Sequence, residues 1–312
     1  MEFGKIDGGH LTALDFYLPP DRDETRELLS RQQQENSKTS VYVGCAKWGR
    51  KDWIGTIYPE GTKESIFLDH YARHFNSIEL NATFYRIPSF AQTSSWRKKV
   101  GKDFLFCPKV SQVISHIKRL KDSQELVDRF YKGIAGFGEN LGPVFLMPHP
   151  AIGPKNFDTL RAFLEALPRH VNTFVELRHK DWFENKEVFS EVFALFQQLG
   201  IGSVITDAAG RRDCVHMRLT RPEAFIRFVG NGLHPTDYTR VDEWVQRIKM
   251  WMESGVRKIY FFMLQQEEIH SPALARYVIQ QLNKHCNTAL PEPVFVADQS
   301  ESELPKNASG KN

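Results

Sequence analysis

Charged and apolar residues alternate in the segment FVELRHKDWF, at positions 174–183. Side chains of a β-strand point alternately to its two faces, so Val175 and Leu177 share one face while Glu176 and Arg178 share the other. The apolar pair suits the side on which helices pack, which places Glu176 and Arg178 on the interior face. A carboxylate beside a guanidinium in a protein interior is able to bind a ligand or to take part in proton transfer.

The same alternation places further polar side chains inside the protein. In SIELNA the interior residues are Glu79 and Asn81, and in FLFCPK the interior residue is Lys109. In FIRFV it is Arg227, and Asp207 ends the sixth strand. These residues lie toward the carboxyl ends of their strands, where barrel enzymes carry their active sites. We therefore predict a polar ligand site at that end.

The residue types in this set indicate two roles. Carboxylates act as general acids and bases or bind sugar hydroxyls, and the candidate catalytic residues are Glu79, Glu176 and Asp207. Guanidinium and ammonium groups bind phosphate or carboxylate, and the candidate anion-binding residues are Arg178, Arg227 and Lys109. The alternative is a structural network of ion pairs that fills the top of a barrel, since a buried charge is costly unless it is paired.

Two loops flank the predicted site. In the loop after the fifth strand, Trp182 or Phe183 could stack on a sugar or a base, or could seal the end of the barrel. The segment after the third strand, KVSQVISHIKRLKD, contains a local basic patch formed by Lys109, His116, Lys118, Arg119 and Lys121. This patch could steer an anionic substrate, or it could be a solvated loop.

Eight short apolar segments must form the strands that position these residues. They are VYVGCA, SIELNA, DFLFCPK, PVFLMP, TFVELR, GSVITD, AFIRFVG and KIYFFML. Apolar stripes at spacings of three and four residues indicate helices between most of them. This alternation predicts an α/β fold, a single-domain (β/α)8 TIM-type barrel over residues 41–298. A doubly wound open sheet is the alternative.

The two ends of the chain differ from this pattern. Residues 1–40 are predicted to form a polar extension with one helix near Arg22 to Glu35, and residues 299–312 a disordered tail. The start of the chain does not resemble a signal peptide, and no apolar run is long enough to span a membrane. The four cysteines are scattered, which favours free thiols. We therefore expect a cytoplasmic protein without a membrane partner.

The composition restricts cofactors and partners. The net charge of +3 is too small to indicate nucleic-acid binding by the whole domain, although a local basic site is compatible with it. No GxGxxG motif opens a helix, so no nucleotide cofactor is predicted. Glu79, Glu176, Asp207 and His149 could together bind a divalent metal, but no HxH or HExxH motif supports this. The oligomeric state is not predicted.

Several motifs occur together in a fixed order. They are GCAKW at 44–48, IELNATFYRIPS at 78–89, CPKVSQVISH at 107–116, VELRHKDW at 175–182, VITD at 204–207 and AFIRFVG at 224–230. From Val41 to Lys284 the chain resembles the YecE-like family, called domain of unknown function 72. The resemblance implies a (β/α)8 barrel and no established activity.

The resemblance also implies a set of site residues. Besides the candidate carboxylates Glu79, Glu176 and Asp207, the ligand-binding residues would be Trp48, Asn81, Tyr85, Lys109, His116, Arg178, His179, Trp182 and Arg227. Two departures stand out. Members often carry a histidine before the glycine that ends strand seven, where this chain has Val229, and paired asparagines at the end of strand eight, where it has Gln265 and Gln266.

Two functions follow as hypotheses. The first is an enzyme, a hydrolase or an isomerase, that acts by acid–base chemistry on a polar, phosphate-bearing ligand such as a sugar phosphate, a nucleotide or a nucleic-acid end. The second is a non-catalytic barrel that binds nucleic acid or a protein through the basic loop and the aromatic residues Trp48, Trp53 and Trp182.

Overall fold

In the computed structural model, which describes residues 3–32 and 38–298, every predicted strand is present. The strands are β1 (Ser40–Cys45), β2 (Ser77–Leu80), β3 (Leu105–Pro108), β4 (Val144–Leu146), β5 (Thr173–Val175), β6 (Gly202–Asp207), β7 (Glu223–Gly230) and β8 (Lys258–Gln265). All the pairs that they form are parallel. The fold class is therefore α/β.

Six of the strands form one curled parallel sheet, in the order β1-β8-β7-β6-β5-β4. The other two, β2 and β3, pair with each other in a separate ladder. A continuous ladder of eight strands is thus not present in the described residues. The order is sequential and brings the first strand beside the last. A doubly wound sheet would instead reverse its strand order at a switch point, so this alternative is not supported.

Side chains replace the backbone ladder between β1 and β2. The backbone N–H of Val43 donates to the side-chain oxygen of Asn76 at 2.8 Å, and the N–H of Cys45 donates to the hydroxyl of Tyr71 at 2.7 Å. The strands lie so close that a Cβ on Gly44 would stand 1.9 Å from the carbonyl oxygen of Ser77. Glycine is required here because of this contact.

Backbone hydrogen bonds join the other end of the small ladder to β4. The N–H of Gly142 donates to the carbonyl of Phe106 at 2.8 Å, and the N–H of Val110 donates to the carbonyl of Phe145 at 2.9 Å. Lys109 and Phe145 form an isolated parallel bridge. The carboxyl end of β3 is therefore held beside β4, and Lys109 is positioned with it.

Helices cover the outer face of the strands. They are α1 (Asp23–Ser30), α2 (Phe67–His74), α3 (Ala82–Tyr85), α4 (Phe90–Arg97), α5 (Gln124–Ile134), α6 (Phe157–Glu165), α7 (Asp181–Glu184), α8 (Lys186–Gln198), α9 (Pro235–Glu253) and α10 (Ser271–Cys286). The predicted apolar stripes lie on α2, α5, α8 and α9 and pack into one large core cluster. In the described residues no helix has both the length and the apolar character needed to cross a membrane.

A second apolar cluster fills the space enclosed by the strands. Its aromatic members include Phe145, Phe174, Phe225 and Tyr260, all of them buried. The ring of Phe225 lies 5.3 Å from that of Phe145 and 5.4 Å from that of Phe174, measured between centroids. These rings form a floor beneath the charged residues that follow on the same strands.

The N-terminal segment packs on the outside of this unit. Its helix α1 is shorter than predicted, and Glu35, where the predicted helix ended, lies outside the described residues. Asp21 accepts hydrogen bonds from Arg247 at 2.7 Å and from Trp251 at 3.0 Å, both on α9. The predicted disordered tail, residues 299–312, also lies outside the described residues.

Candidate functional site

Arg227 on β7 joins two carboxylates from distant parts of the chain. Its Nε donates to Oε2 of Glu79 at 2.7 Å, and its Nη2 donates to Oε1 at 2.8 Å. Its Nη1 donates to both carboxylate oxygens of Glu176, at 2.9 and 2.8 Å. All three side chains are buried. The predicted interior positions on β2, β5 and β7 therefore meet in one charged layer above the aromatic floor.

Neighbouring polar groups complete this layer. Arg178 donates from Nε to Oε1 of Glu176 at 3.0 Å, and the hydroxyl of Thr206 donates to the same oxygen at 3.0 Å. On the other side, the amide of Asn81 donates to Oε1 of Glu79 at 2.8 Å. Each carboxylate thus receives several hydrogen bonds, as a buried charge requires.

The electrostatics keep Glu176 ionised. Burial alone would raise the pKa of this carboxyl, but Arg178, Arg227 and Lys109 outweigh burial and lower the pKa to about 2. A carboxylate with so low a pKa does not hold a transferable proton near neutral pH. Glu176 is therefore held as a carboxylate in the charged layer.

Lys109 follows β3 and occupies a different environment. It is only 6% exposed, and its Nζ lies 4.4 Å from the ring centre of Phe84 and 5.6 Å from that of Phe145. In the described residues it forms no ion pair with a carboxylate. Burial, followed by repulsion from Arg227, lowers the pKa of the amine to about 7, although Glu176 and Glu79 act against this shift.

A cavity of about 620 Å³ opens above the charged layer. Lys109, Arg178 and Arg227 lie at its base, and its walls include Lys47, Arg50, Asn81, Tyr85 and Glu268. Burial raises the pKa of Glu268, against the effect of a hydrogen bond from the Ser271 hydroxyl. The cavity therefore brings together cationic groups that suit an anion and a carboxyl group that keeps its proton more readily than usual.

The N-terminal segment contacts one residue that lines this cavity. The ring of Phe3 lies 4.0 Å from Cζ of Arg178 and 4.9 Å from Cζ of Arg211. The carbonyl of Gly4 accepts a hydrogen bond from the N–H of Gly210 at 2.9 Å, which ties the segment to the loop after β6. Phe3 thus covers one face of a guanidinium that lines the cavity.

Comparisons with known proteins assign the chain to a family. Residues 42–296 match the family model described as "Protein of unknown function DUF72". The chain belongs to the DUF72 family. It is similar to the UPF0759 protein YecE of Escherichia coli (strain K12), with 28% identity over 262 residues that cover 78% of this chain and 93% of YecE. It is also similar to the UPF0759 protein YunF of Bacillus subtilis (strain 168), with 31% identity over 94 residues.

Solved structures of DUF72 proteins share the fold. A DUF72 family protein from Thermotoga maritima MSB8 aligns with a TM-score of 0.61 and 24% identity, over 78% of this chain and 99% of that one. Another from Enterococcus faecalis V583 aligns with a TM-score of 0.60 and 16% identity, over 80% of this chain and 99% of that one. The contact of Phe3 with Arg178 comes from a segment that lies before the DUF72 match.

Asp207 lies apart from the charged layer of this DUF72 protein. Its carboxylate accepts hydrogen bonds from Arg240 at 2.8 Å and from the indole of Trp244 at 2.7 Å, both on α9, and pairs with Arg212. The preceding residue, Thr206, faces Glu176, so strand alternation turns Asp207 to the helix side. Although burial opposes it, pairing with Arg240 and Arg212 lowers the pKa of Asp207.

The predicted aromatic residues do not all face the cavity. Trp182 is fully buried, and its indole N–H donates to the carbonyl of Ile152 at 2.8 Å, so it seals the loop rather than facing the cavity. Trp48 is partly buried against Trp96 and lines a smaller concavity next to the main one. Tyr85 is exposed and borders both concavities.

The two predicted histidines lie beside the site. His116 packs edge-on against Phe84 and His149, at centroid distances of 5.0 and 5.3 Å. Burial and the nearby Lys109 lower the pKa of His116 to about 4, so this ring is neutral at physiological pH. His179 is partly buried, and its ring lies against Gly153.

Part of the predicted basic patch borders a separate groove. Lys118 and Lys121 line a concavity of about 990 Å³ that also contains Asp122, Glu125 and Asp158. Acidic and basic side chains are therefore mixed there. Among residues 3–32 and 38–298, no group of three or more His, Cys, Asp or Glu has a geometry that could hold a metal ion.

Sequence reasoning missed Glu268 and the cationic wall residues Lys47 and Arg50. All three follow strands directly or within a few positions, Lys47 and Arg50 after β1 and Glu268 after β8. Barrel enzymes carry site residues in the loops that follow every strand. Inspecting all these loops, rather than only the strands with inward charges, would have identified the three residues.

Proposed function

We propose that this DUF72 protein is an enzyme that performs proton transfer on a small polar ligand carrying a phosphate or carboxylate group. The ligand would bind in the cavity at the carboxyl ends of the strands, and the reaction would be an isomerisation or a hydrolysis. One observation carries the proposal: Lys109 is a nearly buried amine that opens into a cationic cavity and has no carboxylate partner in the described residues.

Charge balance supports a catalytic role for this amine. The carboxylates of Glu79 and Glu176 are already matched by the guanidiniums of Arg227 and Arg178. The positive charge of Lys109 is in excess of this balance, and desolvation disfavours it further. With a pKa of about 7, the amine is available in both protonation states at neutral pH, which suits a general acid or base.

This assignment divides the roles within the site. Glu176 would orient Arg178, and Glu79 and Glu176 together would hold Arg227 beside Lys109. Lys109 would accept a proton from the ligand, and Glu268, whose pKa is raised by burial, would donate one. Catalytic pairs of this kind depend on environments that move two pKa values toward the operating pH.

Anion binding would rest chiefly on Arg178. Its Nε and Nη2 contact Glu176, whereas Nη1 forms no hydrogen bond within the described residues. Lys47 would add positive charge at the rim, whereas Arg50 is paired there with Asp52. A volume of about 620 Å³ lies in the range of small-molecule sites and would accept a sugar phosphate, a nucleotide or the end of a nucleic acid.

We also infer that the strands form one closed (β/α)8 barrel. Support comes from eight parallel strands whose ladder order is sequential, with β1 beside β8. The hydrogen bonds of Val43 with Asn76 and of Gly142 with Phe106 bridge the two gaps in the ladder. A closed barrel would explain why inward side chains from β2, β5 and β7 converge.

Location in a reducing compartment such as the cytoplasm is part of the proposal. All four cysteines are buried free thiols, with no disulfide between them. Burial also raises the pKa of Cys107 and Cys214, which keeps these thiols protonated and unreactive.

Non-catalytic binding of nucleic acid or protein is the second hypothesis, and the groove beside the basic loop is its only support in the described residues. The acidic residues Asp122, Glu125 and Asp158 would weaken attraction for phosphates there. Replacing Lys118, Arg119 and Lys121 with glutamine should abolish binding of the nucleic acid or protein partner if this hypothesis holds. If the first proposal holds instead, the triple variant should still bind anions in the cavity.

Ligand-induced thermal stabilisation tests the proposed site. Phosphate, pyrophosphate, glycerol phosphate and small carboxylates are screened, since a ligand at about 100 times its Kd stabilises a protein by about 2.7 kcal/mol. We expect Arg178→Ala to lose the shift and Arg276→Ala, which alters an ion pair outside the cavity lining, to retain it. A shift that survives in Arg178→Ala would overturn the proposed site.

A further inference from the structure

We propose that the amine of Lys109 is a nucleophile that forms an imine with a carbonyl substrate carrying a phosphate or carboxylate group. This inference rests on the proposed function, because it uses the same cavity. The imine adds a covalent step to the proposed function. It also names a substrate class, namely 2-oxo acids and phosphorylated aldehydes or ketones.

The surroundings of the amine favour nucleophilic attack. Lys109 is 6% exposed and opens toward the cavity, and the faces of Phe84 and Phe145 lie near its Nζ at 4.4 and 5.6 Å. An ammonium held by a carboxylate has no lone pair to donate, but no such pair involves Lys109 in the described residues. Apolar walls and a neighbouring guanidinium are the means by which proteins produce a neutral, nucleophilic lysine.

The charged layer acts on the product of the reaction as it acts on the ammonium. An iminium carries one positive charge too, so Glu79 and Glu176 would attract it while burial and Arg227 would oppose it. Near neutral pH a group with a pKa of about 7 is about half deprotonated, so the nucleophile is present without a separate base.

The covalent step balances without any further reactant. The lone pair of Nζ attacks the carbonyl carbon, the electrons of the C=O double bond move to oxygen, and a proton passes from nitrogen to that oxygen. The carboxyl of Glu268, which lines the same cavity, would then protonate the hydroxyl of the carbinolamine. The C–O bond breaks, water leaves, and the nitrogen lone pair forms the C=N bond of the iminium. Hydrolysis by water reverses the step, and no oxidation or reduction occurs.

The anionic part of the substrate would bind to Arg178. Arg178 and Lys109 line the same cavity, and Nη1 of Arg178 forms no hydrogen bond within the described residues. A carbonyl at Lys109 and an anion at Arg178 therefore define a small bifunctional substrate. Neutral aldehydes would lack the second contact and should react more slowly.

Reductive trapping tests this assignment. The full-length protein is incubated at about neutral pH with pyridoxal 5′-phosphate or with pyruvate, treated with sodium borohydride, and analysed by peptide mass mapping. We expect one dominant secondary-amine adduct, at Lys109, with a pH dependence that follows an apparent pKa near 7. Pyridoxal without phosphate should label Lys109 at least about tenfold less, because it lacks the anion that Arg178 would bind.

Two variants make the result specific. Lys109→Arg keeps the positive charge and should abolish the adduct, whereas Lys258→Arg alters an exposed lysine at the start of β8, outside the cavity lining, and should leave the adduct unchanged. If the adduct is spread over exposed lysines, or persists in Lys109→Arg, the proposal is overturned.

The two experiments distinguish a failure of the imine from a failure of the anion site. If phosphate or a small carboxylate stabilises the protein through Arg178 but no adduct forms at Lys109, the imine is overturned and the anion site stands. If neither anion binding nor an adduct is found, both the proposed function and the imine fail.

Discussion

The guanidinium of Arg227 binds the carboxylate of Glu79 through two hydrogen bonds, from Nε at 2.7 Å and from Nη2 at 2.8 Å. The remaining Nη1 binds both oxygens of Glu176. Arg227 therefore has partners for each of its nitrogens inside the protein. Its place in the site is that of a link between two strands, and the anion-binding role suggested by its residue type is one that we propose for Arg178 instead.

Replacing Arg227 should strongly destabilise the fold. Arg227→Ala leaves the buried carboxylates of Glu79 and Glu176 without their shared partner, and loss of one member of a buried ion pair costs about 3–5 kcal/mol. The free energy of unfolding measured in urea checks this. The control Arg276→Ala removes an exposed ion pair with Asp298 and should cost no more than about 1 kcal/mol. Equal losses in the two variants would argue against the link.

Replacing Lys109 should stabilise the protein in a pH-dependent way. The folded pKa is about 7 and the ordinary value is 10.5, so between these values the unfolded state binds more protons and the stability of the wild type rises with pH. Lys109→Met removes a buried charge that is unfavourable below about pH 7, and should raise the free energy of unfolding there by roughly 2–5 kcal/mol.

The difference between Lys109→Met and the wild type should shrink as the pH rises toward 10.5, and above this value the wild-type amine is neutral in both states. Thermal unfolding across this range measures it, with Lys47→Met as an exposed control. A constant difference at all pH values would mean that the lysine is not perturbed in the folded protein.

Glu176 should affect stability in the acidic range instead. Its pKa is lowered from 4.5 to about 2, so its contribution to stability is present above about pH 4.5 and is lost as the pH falls toward 2. Glu176→Gln should therefore be less stable than the wild type at neutral pH, by an amount of the order of 3 kcal/mol. The gap should narrow in acid. Urea unfolding at several pH values measures it, and a gap that widens in acid would contradict the assignment.

Removing the ring of Phe3 should strengthen anion binding at Arg178. The ring covers one face of the guanidinium at 4.0 Å, and a contact of this kind contributes about 0.5–1 kcal/mol. If the ring must move for the ligand to enter, Phe3→Ala should lower the Kd for phosphate or pyrophosphate about two- to fivefold. Isothermal titration calorimetry measures this.

Phe16→Ala is the matched control for Phe3→Ala. It removes a similar contact of a ring with Arg240 and Arg212, which lie away from the cavity, and should leave the Kd unchanged. Weaker binding in Phe3→Ala would instead identify the ring as a wall of the ligand site. Either result shows whether the segment before the DUF72 match hinders or supports anion binding at Arg178.

The sequence by itself determined which side chains face inward. Two-residue alternation in a strand with one apolar face is sufficient to place Glu79, Glu176 and Arg227 inside, and the structure has them there. The eight strands and the family were predictable for a similar reason, since short apolar segments and ordered motifs are local properties of the chain.

Only the tertiary structure decided how these residues are used. Alternation gives the face of a side chain but not its partner across the interior, which depends on strand order and register. The link from Arg227 to Glu79 joins residues 148 positions apart. Asp207 has its partners on the helix side because α9 presents Arg240 and Trp244 there. The excess charge of Lys109 likewise emerges only when four other charged side chains are seen together, because electrostatic balance is a property of the assembled layer.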